Sequence, residues 1–144
     1  MIKKYIDIDG VILKYEPSDY PTRFLTIKHY FKNQPLLIHM IPEDFIILGK
    51  ITTEEERRDK IAMIKKIFPK NKYILTKKPK HKKVNPKGCI LIDDYNKNLE
   101  DWQSLGGIPV KFLNEINSPR EDMLCVNKDD FIEVLSAFDS TLNS

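Results

Sequence analysis

The feature that most constrains the fold is a series of six short apolar runs, none longer than a strand, separated by polar stretches. They are Tyr5-Ile6-Asp7-Ile8, Phe45-Ile46-Ile47-Leu48, Lys72-Tyr73-Ile74-Leu75-Thr76, Cys89-Ile90-Leu91-Ile92, Ile108 to Leu113 and Met123-Leu124-Cys125-Val126. The second is continuously apolar and ended by Gly49, which suits a strand covered on both faces. Several of the segments between them carry helical spacing. Thr52 or Thr53 with Glu55 or Glu56 three residues on makes a capping box, and Ile61, Ile64, Ile67 and Phe68 follow on an inward face before Pro69. Leu99, Trp102 and Leu105 share a face ahead of Gly106-Gly107, and a last helix is predicted from Lys128 to Phe138. Alternation of this kind predicts an α/β fold, three-layered and Rossmann-like, with a parallel sheet of about five or six strands.

At 144 residues the chain suits one domain, spanning 1–144. Residues 13–43 interrupt the alternation with four prolines and one helical stretch, Thr22 to Asn33, and read as a small cap-like insertion after the first strand. No apolar run reaches the ~20 residues a bilayer requires, and Met1-Ile2-Lys3-Lys4 leads straight into the first strand without a signal peptide. A cytoplasmic protein with no membrane contact is expected. Cys89 and Cys125 each lie inside an apolar run and are expected as free, buried thiols. The net charge is only +3, yet Lys77, Lys78, Lys80, Lys82, Lys83 and Lys87 crowd one stretch. Such a stretch is either a phosphate or nucleic-acid contact or a solvated loop.

Chemistry is concentrated where strands end. Asp7 and Asp9 close the first run, with Gly10 supplying backbone freedom after them. Asp93-Asp94 closes the fourth, and Gly49 to Thr53 follow the second. In open parallel sheets ligands bind beyond the carboxyl ends of the strands, so these groups are expected at one edge. Two carboxylates two residues apart share a face of an ideal strand and repel one another when buried. A cation, a proton or a turn has to relieve the contact. Oxygen ligands alone suit a hard divalent ion, and magnesium is usually held by one or two carboxylates, waters and a substrate phosphate.

These residues also carry a resemblance. Asp7-Ile8-Asp9-Gly10-Val11 and Asp93-Asp94 resemble the first and fourth motifs of the haloacid dehalogenase-like (HAD) phosphatase superfamily. The run Leu91 to Leu99, with Trp102 and Gly106-Gly107-Ile108 after it, is similar to the 5'(3')-deoxyribonucleotidase-like branch. The resemblance covers roughly residues 3–114. It implies a magnesium-dependent phosphomonoesterase, with Asp7 as nucleophile forming an aspartyl-phosphate and Asp9 as general acid and base. It also implies magnesium (Mg2+) on Asp7, the carbonyl of Asp9, Asp93 and Asp94. The second motif of the superfamily has Thr or Ser where this chain has Gly49. Gly49, Lys50, Thr52 and Lys82 are therefore the candidates for holding the phosphate. The third motif is a lysine, for which Lys80, Lys82 and Lys83 all qualify, gapless spacing favouring Lys83.

The expected substrate is a small phosphorylated molecule. A nucleotide would have Tyr20, Tyr30 or Phe31 of the insertion available for stacking, and the lysine-rich stretch keeps nucleic-acid ends open as substrates. Two readings of other classes stand beside the enzyme. One is a phosphate- or metal-binding module without turnover, favoured by Gly49; the other is a phosphoacceptor signalling domain, which also gathers aspartates and a lysine at a sheet edge.

Overall fold

The computed structural model describes residues 2–14 and 36–143. Its six strands are β1 (Lys4–Ile6), β2 (Phe45–Lys50), β3 (Tyr73–Thr76), β4 (Ile90–Asp93), β5 (Ile108–Phe112) and β6 (Leu124–Val126). Its helices are α1 (Glu54–Ile67), the single turn α2 (Lys80–Lys83), α3 (Asn96–Ser104) and α4 (Phe131–Asn143). All strand pairs are parallel, in the order β3-β2-β1-β4-β5-β6. The α/β, Rossmann-like sheet read from the sequence is the observed one.

Successive residues of a strand point to opposite faces, and the core divides accordingly. Ile6, Ile47, Ile90 and Ile92 pack on one face with Ile64 of α1, Phe68 at its C-cap, and Phe131 and Leu135 of α4. Tyr5, Leu48 and Leu91 pack on the other with Leu99 and Trp102 of α3. Trp102 is wholly buried and places its ring edge-on to Tyr5, with centroids 5.6 Å apart. Its indole N–H donates to the Cys89 carbonyl at 2.9 Å, so its one polar atom is satisfied. Cys89 and Cys125 are free, as expected, but half-buried rather than buried.

From β1 the chain builds outward to β3 and then returns to lay β4 on the other side of β1. The two halves of the sheet diverge at β1 and β4, and a crevice opens beyond the carboxyl ends of such a pair. Here that position carries Asp7 and Asp93. The Asp7 N–H donates to the Ile92 carbonyl at 2.9 Å, which ties the first aspartate to β4 directly after β1 ends.

The insertion leaves and returns at one place, because Leu13 and Leu36 form an antiparallel bridge and the Leu37 N–H donates to the Ile12 carbonyl. Tyr20, Tyr30, Phe31 and the helix expected from Thr22 to Asn33 lie outside the described residues. No helix among the described residues is long and apolar enough to cross a membrane.

Gly49 sits where a side chain would meet close neighbours. Gly49 lies inside β2, and a Cβ there would stand 2.6 Å from Ile8 Cδ1 and 3.1 Å from Leu75 Cδ2. Ile8 is fully buried, so it has little room to yield. Overpacking of this kind typically costs ~1–3 kcal/mol. Gly49→Thr is therefore expected to lower stability by about that amount in urea titration. Ile8→Val, which removes the blocking methyl, should recover part of the loss when the two are combined.

Candidate functional site

β1 stops at Ile6, and the chain then turns sharply through residues 8–13. The Ile8 carbonyl accepts from the N–H groups of Ile12 (2.8 Å) and Leu13 (2.9 Å), while the Gly10 N–H reaches the Leu13 carbonyl at 2.9 Å. Gly10 sits at φ 78°, in the left-handed region that favours glycine. The turn gives Asp7 and Asp9 different surroundings. Each meets its own buried lysine.

Asp7 is buried, and its Oδ1 accepts from Lys80 Nζ at 2.6 Å. The same ammonium donates to Asp93 Oδ2, also at 2.6 Å, and so bridges the ends of β1 and β4. Asp93 is fully buried and further fixed. Its Oδ2 accepts from Asn98 Nδ2 at 3.1 Å and its Oδ1 from the Tyr95 N–H at 3.0 Å. Asp94 is half-buried and accepts at Oδ2 from Asn114 Nδ2 at 3.2 Å. Asn114 also donates to the Gly10 carbonyl at 2.8 Å, which straps the loop after β5 across the turn after β1.

Asp9 faces the other way. Its Oδ2 accepts at 2.8 Å from Lys60 Nζ, a fully buried ammonium on α1. Lys60 donates besides to Glu56 Oε2 at 2.7 Å and to the Lys50 carbonyl at 3.1 Å. The other oxygen of Glu56 accepts from the Thr52 N–H at 2.7 Å and the Thr52 hydroxyl at 3.2 Å. Thr53 caps the helix, accepting from the Glu56 N–H at 3.0 Å. Asp9 Oδ1 is buried without a hydrogen-bond partner among the described residues.

These placements differ in detail from the sequence expectation. Of the three lysines weighed, Lys80 reaches the carboxylates, whereas Lys82 and Lys83 are exposed. The cause is α2, a single helical turn that begins at Lys80 and buries only that residue. Gly49 lies near the end of β2 and beside Ile8, the Lys50 side chain is exposed, and Thr52 turns its hydroxyl to Glu56. Sequence reasoning missed Lys60, Glu56, Asn98 and Asn114. For the first two a signal existed, because Glu56, Lys60, Ile64 and Phe68 recur every four residues and form the buried stripe of α1 and its C-cap.

One carboxylate oxygen from each of Asp7, Asp93 and Asp94 lies within 4.8 Å of the others. Three carboxylates thus face one ammonium. Burial, and after it repulsion from Asp93, pushes the Asp7 carboxyl from 3.8 up to about 7, against the pull of Lys80. Burial, then Asp93 and Asp7, raises Asp94 well above its ordinary value. Burial works against the Lys80 ammonium, but Asp7 and Asp93 outweigh it and hold its pKa above the usual lysine value. Lys60 behaves alike, its burial being outweighed by Asp9 and Glu56.

Two outcomes follow for stability. Lys80→Met strands two buried carboxylates and is expected to cost ~3–5 kcal/mol, whereas Lys83→Met on the surface should stay within about 0.5 kcal/mol; urea titration of both checks this. With divalent ions chelated, folded Asp7 binds more protons than the unfolded chain between pH 3.8 and about 7. Its contribution to stability therefore falls as pH rises through that window. Melting curves of the wild type and Asp7→Asn across it should show the wild type losing stability relative to the variant. The chain matches no model of a known protein family and no curated protein, so its functional reading rests on these residues.

Proposed function

We propose that the chain is a magnesium-dependent phosphomonoesterase of the haloacid dehalogenase-like type, nucleotidase-like, acting through an aspartyl-phosphate. The observation that carries this reading is the position of Asp7. It stands at the carboxyl end of β1, where the sheet order reverses, and is joined through Lys80 to Asp93 at the end of β4. A carboxylate so placed, raised in pKa and faced by two more, is characteristic of a reactive site rather than of a surface turn.

The donor set fits a hard divalent cation. Asp7, Asp93 and Asp94 offer oxygen alone, and when ionised they set three negative charges against the one positive charge of Lys80. Magnesium would be held by these three side chains together with the carbonyl of Asp9. When bound, it neutralises charge, so that an anionic nucleophile and an anionic phosphate can approach. The remaining steps belong to the protein. An Asp7 oxygen attacks phosphorus, the ester P–O bond breaks, and Asp9 gives a proton to the departing oxygen. A water then passes a proton to Asp9 as it attacks the aspartyl-phosphate, releasing inorganic phosphate and the Asp7 carboxylate. Lys80 keeps Asp7 oriented and offsets charge that gathers on the phosphoryl oxygens.

The substrate is a phosphate monoester small enough to reach this crevice. Exposed Lys77, Lys78, Lys82, Lys83 and Lys87 beside Lys80 favour a further anionic feature such as the end of a polynucleotide. A binding module without turnover is the second reading. It is supported by Thr52, the nearest hydroxyl after β2, which donates to Glu56.

Hydrolysis of an aryl phosphate, a panel of nucleoside monophosphates and 5'- and 3'-phosphorylated oligonucleotides, with and without magnesium, tests the proposal. Magnesium-dependent turnover is expected, abolished in Asp7→Asn and, on the nucleotide and oligonucleotide esters, reduced by about 10²-fold or more in Asp9→Asn. Activity that survives Asp7→Asn excludes the covalent route. Stabilisation by magnesium without turnover on any ester establishes the binding module.

A further inference from the structure

Lys60 takes no part in the steps above, yet it is a fully buried cation anchored on the proposed acid and base. We propose that Lys60 is a positioning residue for Asp9, pinning Oδ2 so that Oδ1 alone handles the proton; this rests on the hydrolase reading. The two oxygens of Asp9 are not equivalent. Oδ2 takes the Lys60 ammonium at 2.8 Å, while Oδ1 is buried and unpartnered among the described residues. A carboxylate free to rotate would exchange its oxygens and lose the line to the reacting atom. One pinned by a charged donor keeps a single orientation.

Among the described residues Lys60 is itself held from three sides. Asp9, Glu56 and the Lys50 carbonyl all accept from its Nζ. Glu56 in turn takes the Thr52 N–H and hydroxyl at the start of α1. The relay from Thr52 through Glu56 and Lys60 to Asp9 thus ties the segment following β2 to the turn following β1. A purely structural ion pair would require only Glu56 and Lys60, one helical turn apart. The reach of Nζ across to Asp9, fifty-one residues away in sequence, is what assigns it to the site.

The leaving group reads out the role. An aryl phosphate expels a phenolate that needs little protonation, whereas an alkyl phosphate expels an alkoxide that depends on Asp9. Because Lys60→Met alone strands two carboxylates, it is made together with Glu56→Gln, and folding of the pair is checked by its melting transition. The double variant is expected to lose about 10-fold or more in kcat/KM on an alkyl phosphate and little on an aryl phosphate. In an Asp9→Asn background the same pair of changes should leave the alkyl-to-aryl ratio unmoved. Equal losses on both esters, or no loss on either, overturn the positioning role while leaving the hydrolase reading intact. A wild-type chain that turns over neither ester overturns both.

Discussion

The structure depends on one electrostatic constraint: Asp7, Asp9, Asp93 and Asp94 are gathered near the carboxyl ends of β1 and β4 with Glu56 of α1 close by, and two buried ammonium groups hold four of these five carboxylates. Unit charges about 3 Å apart interact by roughly 5 kcal/mol even at an effective dielectric near 20. Contacts of that size dictate where backbone can go. Lys80 takes Asp7 and Asp93, Lys60 takes Asp9 and Glu56, and neither lysine comes from the strands that carry the acids. Two segments distant in sequence, the turn after β3 and the middle of α1, are thereby fixed to the end of β1. Burying either ion pair is costly in itself, so its value lies in specificity and in the site it assembles rather than in net stability.

Around that division the backbone is braced by amides. Asn114 holds the Gly10 carbonyl and Asp94, Asn117 holds the Phe112 carbonyl at 2.8 Å, and Asn98 holds Asp93. Amide side chains suit this task because they donate without adding charge to a region already crowded with it. The loop after β5 is consequently part of the site. It decides how Asp94 presents its second oxygen and how firmly the turn at Gly10 is closed.

Much of this was legible in the sequence, and the pattern of what was not is physical. Strands covered on both faces announce themselves as apolar runs, and acids placed at their ends are brought together once the sheet is parallel; Asp7, Asp93 and Asp94 follow from that alone. Lys80 among six neighbouring lysines does not, since the distinction between it and Lys83 is made by where a single helical turn starts. Lys60 was hidden by its own partner. A Glu and a Lys four residues apart on a helix are the usual mark of a solvent-facing pair, and only their phase with Ile64 and Phe68 shows that here the pair faces inward. Asn114 carries no local signal, because its role arises from a contact 104 residues away in sequence.

Gly49 shows how packing and chemistry compete for one position. A residue with a hydroxyl there would place its Cβ against Ile8, the residue between Asp7 and Asp9. Ile8 is fully buried, and its bulk takes the space that a side chain on β2 would need. The hydroxyl that follows the strand, Thr52, donates to Glu56 and so helps to hold Lys60. On the hydrolase reading, a chain so arranged has exchanged a neutral donor at the phosphate for charged ones. Lys80 is the cation nearest the attacking oxygen, and its attraction for a phosphoryl group is less directional than a hydroxyl's hydrogen bond but stronger at short range in a buried site.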